Sequence, residues 1–181
     1  MLKKLQERLN ERLLDAVEVG DYKGAKELIQ RGANVQVKGD YCICSAVSNG
    51  YSKLTEILIN SGADVSVYGN YPIRDAIVKE HDGTLGIICK TAILDEQVLQ
   101  DALRMAVAFN KPKSLKVILE YCELTDEMFE KYVEQSISAR EQEISQILIK
   151  NAKSDGAAKA LEIAKRCGAK MEFIQSIVNL A

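Results

Sequence analysis

Apolar residues recur along this chain at intervals of thirty residues, and this period constrains the fold more than any other feature of the sequence. One column is aliphatic in six successive copies, namely Leu28, Leu58, Ile88, Ile118, Leu148 and Val178. Steps of thirty from Leu13 and from Val17 also meet only apolar residues or a cysteine. A fourth column is small from Ala16 to Ser136 and fails only at Arg166. The period therefore predicts six stacked copies of one supersecondary element.

The spacing inside each copy indicates two short helices. Leu13, Ala16 and Val17 lie at positions i, i+3 and i+4, which is the spacing of one helix face. A second face of this kind runs from Ala25 to Ile29, and a glycine, the usual helix terminator, follows it. Neither helix could bury its apolar stripe alone, so neighbouring repeats have to pack against each other. We therefore predict an all-α solenoid of about six helix-turn-helix repeats.

Two segments resemble ankyrin repeats: LLDAVEVGDYKGAKELIQRGANV at 13–35 and ICSAVSNGYSKLTEILINSGADV at 43–65. The sequence YPIRDA at 71–76 stands where that family has its Thr-Pro-Leu-His-x-Ala signature, with Pro72 in the proline position. His81 occupies the turn where the family often has Gly-His. Short, degenerate thirty-residue repeats of this kind are similar to those of large DNA viruses. The resemblance implies an ankyrin-like solenoid that binds other proteins.

The first and second halves of the chain differ in their predicted loops. Residues 37–41 and 67–71 contain glycine and are turn-like, so we expect short β-hairpin fingers there. The matching residues 97–101 have a helical pattern, and Asp95 and Thr125 are placed as N-caps. Fingers are therefore expected in the first half only. We expect a single ankyrin-like repeat domain over residues 1–181, with approximate repeats at 1–36, 37–66, 67–96, 97–126, 127–156 and 157–181.

Composition and charge exclude several classes of protein. The formal net charge of -2 creates no field that would attract nucleic acid or an anionic membrane, and we expect neither as a partner. No apolar run approaches the roughly 20 residues of a membrane span. The N-terminal segment is too charged for a signal peptide. Five cysteines without a Cys-x-x-Cys pair indicate reduced thiols in a cytoplasmic, reducing compartment.

The sequence contains no recognisable catalytic or metal-binding motif. It has no phosphate-binding glycine loop, no Gly-x-Ser-x-Gly and no His-Glu-x-x-His. His81 is the single histidine and has no evident partner as a general base. Cys42 and Cys44 lie near a helix start, where a thiolate is favoured, but no histidine accompanies them. We therefore predict a protein that is not an enzyme and needs no cofactor or metal.

The resemblance implies a non-enzymatic module that binds a folded partner protein through its concave face. Its similarity to viral repeats suggests an inhibitor or adaptor that acts on a host factor. In the first helix of each repeat, one pair of residues four apart should point to that face. Met105 and Phe109 form the only wholly apolar pair, so we expect them to anchor the partner. The alternative is that a lengthened helix buries both.

Three groups of charged or aromatic residues extend this predicted interface. Tyr41, Tyr68 and Tyr71 lie in the predicted fingers, and the alternative role of Tyr41 and Tyr71 is to brace the helix starts. Asp75 and Lys79 could form its rim. The remaining group is an acidic flank at positions i, i+4 and i+8 of one helix, formed by Asp126, Glu130 and Glu134. This flank either faces solvent or binds a basic surface of the partner.

The alternative function is that of a structural protein that self-associates as a homodimer through its C-terminal helix. That helix has two apolar stripes, and only one of them can pack inward. The first stripe consists of Met171, Ile174 and Val178, and the second, predicted to mediate self-association, of Phe173, Ile177 and Leu180. The competing interpretation is that the second stripe folds back on residues 140–165.

Overall fold

The computed structural model describes residues 2–152 and 155–179, and over these residues the chain forms twelve helices and no strand. The all-α class and the six helix pairs are therefore confirmed. The chain divides into two compact units, unit 1 at residues 1–98 and unit 2 at residues 99–181. We describe each unit by itself.

Unit 1 contains three helix pairs. Its helices are α1 (Leu2–Glu18), α2 (Tyr22–Gln30), α3 (Val37–Ser48), α4 (Ser52–Asn60), α5 (Val67–Val78) and α6 (Asp82–Thr91). The first helices of the pairs, α1, α3 and α5, pack side by side, and the second helices, α2, α4 and α6, form a parallel row. Each pair also packs internally. This is the stacked arrangement that the thirty-residue period predicts.

Unit 2 repeats the same motif. The boundary after Val98 falls in the first turn of α7 (Glu96–Ala108). The helices that follow are α8 (Pro112–Leu119), α9 (Asp126–Ser138), α10 (Gln142–Asn151), α11 (Gly156–Arg166) and α12 (Met171–Val178). Helix α9 packs on α10 and α11, and α10 packs on α8 and α12. The N-cap predicted at Thr125 is confirmed, because its hydroxyl accepts a hydrogen bond of 3.3 Å from the amide of Met128.

The repeating apolar columns form the core of each unit. Leu58 and Ile88 in unit 1 are completely buried, as are Ile118 and Leu148 in unit 2. In the column that starts at Leu13, the side chains of the first four repeats are also buried from solvent. Aliphatic burial between stacked pairs is thus the main source of stability, at roughly 25 cal/mol per Å² of apolar surface.

The predicted β-hairpin fingers are wrong. The segments Lys38–Asp40 and Tyr68–Asn70 each form one left-handed helical turn, with φ between 53° and 67°, and the chain then passes directly into a right-handed helix. A thirty-residue repeat leaves too few residues here for two paired strands. Glycine in the middle and aspartate or asparagine at the end favour this turn, because these residues tolerate positive φ best.

A polar column holds these turns in place, and sequence reasoning missed it. The side chain of Asp40 is buried and accepts a hydrogen bond of 3.0 Å from the amide of Asp64. Asn10, thirty residues earlier, accepts one of 2.8 Å from Asn34. Each bond joins a first helix to the loop that ends its own repeat, from the middle of α1 at Asn10 and from the start of α3 at Asp40. A search for polar residues at the same period would have found the pair.

The thirty-residue step breaks in the last repeat, and this changes its register. The amide of Glu141 donates to the carbonyl of Ser136 at 2.8 Å, and the matching bond in the next repeat runs from Ala169 to Ala164 at 2.9 Å. Ala164 therefore occupies the small position that the sequence analysis assigned to Arg166. The small column therefore has no exception. The step from Ser136 to Ala164, like that from Glu141 to Ala169, is 28 residues instead of 30.

The shifted register also reassigns the inward side of α12. Ile177 is only 1% exposed, whereas Val178, which a strict step of thirty places in the core, is 47% exposed. The bulky aliphatic position is thus kept, but one residue earlier. Burial of one apolar side chain per repeat, rather than a strict residue count, decides the register.

The turn between the paired helices needs a residue with positive φ. Glycine fills this position in the first two repeats, with φ of 72° at Gly20 and 71° at Gly50. The third, fourth and fifth repeats use Glu80, Asn110 and Arg140, with φ of 58°, 51° and 63°, and glycine returns in the last repeat. A side chain with a Cβ atom makes this conformation less favourable by about 1–2 kcal/mol. These three turns are therefore less favourable than the turns that contain glycine.

Replacing Leu58 by alanine should lower the free energy of unfolding by about 2–5 kcal/mol, because the change leaves a cavity in the aliphatic column. Ile93 is fully exposed, so Ile93→Ala is the matched control and should leave stability unchanged. Urea denaturation followed by far-UV circular dichroism measures both. Equal stability of the two variants would contradict the stacked-repeat core.

Arg140→Gly should raise the free energy of unfolding by about 0.5–1 kcal/mol, because glycine adopts positive φ without a steric penalty. The control is Lys131→Gly at an exposed position inside α9, where glycine should instead cost about 1 kcal/mol. Thermal denaturation of both variants gives the comparison. A loss of stability in Arg140→Gly would show that the arginine side chain matters more than the backbone conformation.

Candidate functional site

The predicted tyrosines of unit 1 are exposed, and two of them are held in place. Tyr68 is 68% exposed, and its hydroxyl donates to the carbonyl oxygen of Gly39 at 2.9 Å. The hydroxyl of Tyr41 donates to a carboxylate oxygen of Glu18 at 3.3 Å. Tyr71 is also exposed. These contacts brace neighbouring repeats and leave the ring faces open to solvent.

The predicted rim residues lie on the same helix face as Tyr71. Lys79 Nζ lies 3.1 Å from a carboxylate oxygen of Asp75, four residues away. The same ammonium group donates to the backbone oxygen of Ser48 at 3.2 Å and to its hydroxyl. The rim therefore links α5 to α3 and is partly ordered before any partner binds.

These residues form one surface of unit 1, which we call the tyrosine face. Tyr71, Asp75 and Lys79 are spaced by four along α5 and share one side of it. Tyr41 occupies the same position on α3 as Tyr71 on α5, and α3 packs against α5. Tyr68 contributes from the left-handed turn before α5. The tyrosine face thus consists of Tyr41, Tyr68, Tyr71, Asp75 and Lys79.

The predicted apolar anchor of unit 2 is accessible. Phe109 is 52% exposed at the end of α7, where its amide donates to the carbonyl of Met105 at 2.9 Å. Met105 is half-buried. The alternative interpretation, that the lengthened helix buries both side chains, fails for Phe109. A turn residue with an open aromatic ring is a good contact for another protein.

The predicted acidic flank of α9 is already engaged inside unit 2. Lys159 Nζ lies 3.7 Å from Asp126, and Arg166 lies 3.2 Å from Glu134. The hydrogen bond that Lys159 donates to Asp155 raises the pKa of Lys159, and the nearby charges of Asp126 and Glu130 raise it further. Acidic α9 and basic α11 pack together. Two of the three flank residues, Asp126 and Glu134, therefore already have a basic neighbour on α11.

The predicted self-association stripe needs correction. Ile177 lies in the core of unit 2 and is closed to a second molecule, whereas Phe173 is half-buried and keeps part of its ring exposed. Leu180 lies outside the described residues. The exposed side of α12 instead carries Met171 and Val178. The two predicted stripes thus change roles. Met171 and Val178 of the first stripe are exposed and Ile177 of the second is buried, because the last repeat is shorter than thirty residues.

Cys42 and Cys44 are not activated nucleophiles. Burial raises the pKa of the Cys42 thiol to about 11, and the carboxylate of Asp40 adds to this shift. Burial also raises the pKa of Cys44. Both thiols are therefore protonated and unreactive at neutral pH. All five cysteines are free of disulfides.

Residues 2–152 and 155–179 contain neither a metal-binding cluster nor a membrane-spanning helix. Within this range, no cluster of three or more histidine, cysteine, aspartate or glutamate residues could hold a metal ion. None of the helices described there has the length and apolar character needed to cross a bilayer.

Glu141 is an unusual residue at the turn before α10. One of its carboxylate oxygens is buried and makes no hydrogen bond to any described residue. Burial raises the pKa of this carboxyl group above its ordinary range. Its backbone nevertheless makes the standard turn contact to Ser136. The ionised carboxylate is therefore unfavourable for folding.

Comparison with solved structures supports the resemblance seen in the sequence. The crystal structure of EF0377, an ankyrin repeat protein, matches with a TM-score of 0.65 and 22% sequence identity, over 94% of this chain and 97% of that chain. No protein-family model matches the chain. No curated protein matches it either. At this level of identity the structural match establishes the fold, and the ankyrin-repeat recognition is confirmed at that level.

Glu141→Gln should raise the melting temperature at neutral pH, because it removes a poorly solvated charge. The folded state has the higher pKa, so wild-type stability should rise as pH falls through that pKa toward the unfolded value. The advantage of the variant should shrink over the same range. Thermal melts across this range measure it, with Glu123→Gln as the exposed control. An advantage that grows on acidification would contradict the assignment.

Proposed function

We propose, from the ankyrin-repeat fold of this chain, that it is a non-enzymatic module that binds a folded partner protein. Ankyrin-like stacks present the exposed side of their first helices to other proteins. In unit 1 this side carries the tyrosine face. The free, protonated thiols fit a reducing, cytoplasmic compartment. An inhibitor or adaptor of a host factor, as the similarity to viral repeats suggests, would act simply by occupying its target.

The tyrosine face is the observation that carries this proposal. Three exposed tyrosines in neighbouring repeats are more than the isolated apolar residue that ordinary surfaces show. Tyr41 and Tyr68 are tethered through their hydroxyls, so their rings lose little conformational entropy on binding. Tyrosine is also among the residues enriched in binding hot spots. Lys79 and Asp75 supply the polar rim that such interfaces have.

Phe109 supports a second contact, located in unit 2. Its exposed ring has the size of a typical anchor, and Met105 beside it can adapt to a partner's shape. The acidic flank is not part of this proposal, because its charges pair with α11.

The second candidate function is self-association through α12. The exposed side chains of Met171 and Val178 favour it, whereas the buried Ile177 does not take part. Met171→Glu together with Val178→Glu should then convert a homodimer to a monomer in sedimentation experiments. A wild-type protein that sediments as a monomer at high concentration would exclude this function.

The partner can be identified by affinity capture with the full chain as bait and quantitative mass spectrometry. The double change Tyr41→Ala and Tyr71→Ala should weaken binding by about 2 kcal/mol or more, because it removes two ring surfaces from the interface. Tyr121→Ala, an equally exposed tyrosine in unit 2, is the matched control and should bind normally. Phe109→Ala tests the second contact.

Melting temperatures keep this test interpretable. Each variant should melt within a few degrees of wild type, because the side chains removed are exposed. A captured partner that binds the double variant and Tyr121→Ala equally well would contradict the tyrosine face as the interface.

A further inference from the structure

We draw no further inference here: the strongest candidate, the cleft of about 370 Å³ between the α9–α10 turn and the α11–α12 turn of unit 2, carries none because nothing in the structure shows what covers it.

Discussion

The structure depends on one interaction, the burial of an aliphatic side chain between neighbouring helix pairs. Leu58 in unit 1 and Ile118 in unit 2 show it, since both side chains are completely buried. A single helix pair has no second surface on which to bury such a side chain. The small residues of the first helices allow the pairs to approach closely enough for this contact. Every other feature of the repeat is arranged around it.

Polar side chains determine where the loops and exposed rings lie once the core has formed. Asp40 fixes the loop at Asp64, and Tyr68 bonds to the carbonyl of Gly39 in the turn before it. These hydrogen bonds connect side chains to backbone groups that the helices leave unpaired. The tyrosine face is therefore a consequence of the loop geometry, because the bonds that brace the repeats also orient its rings toward solvent.

Much of the candidate surface could be predicted from residue spacing. Phe109 was expected at an exposed position because it lies four residues from Met105 on a first helix, and its exposure agrees. The acidic flank could not be interpreted in this way, because spacing along α9 does not show that α11 presents Lys159 and Arg166 to it. The burial of the Glu141 carboxyl group could not be predicted either, because it depends on tertiary packing and not on residue spacing.

The sequence alone determined the repeat, its helix pairs and its buried columns, because helix periodicity and apolar burial are local patterns that repeat at a constant interval. Tertiary structure decided the turns at Lys38–Asp40, where steric limits on a short connection replaced an expected hairpin by a left-handed turn. It also decided the inward side of α12. Ile177 rather than Val178 is buried there, because side chains fill the available core whatever the residue count between repeats.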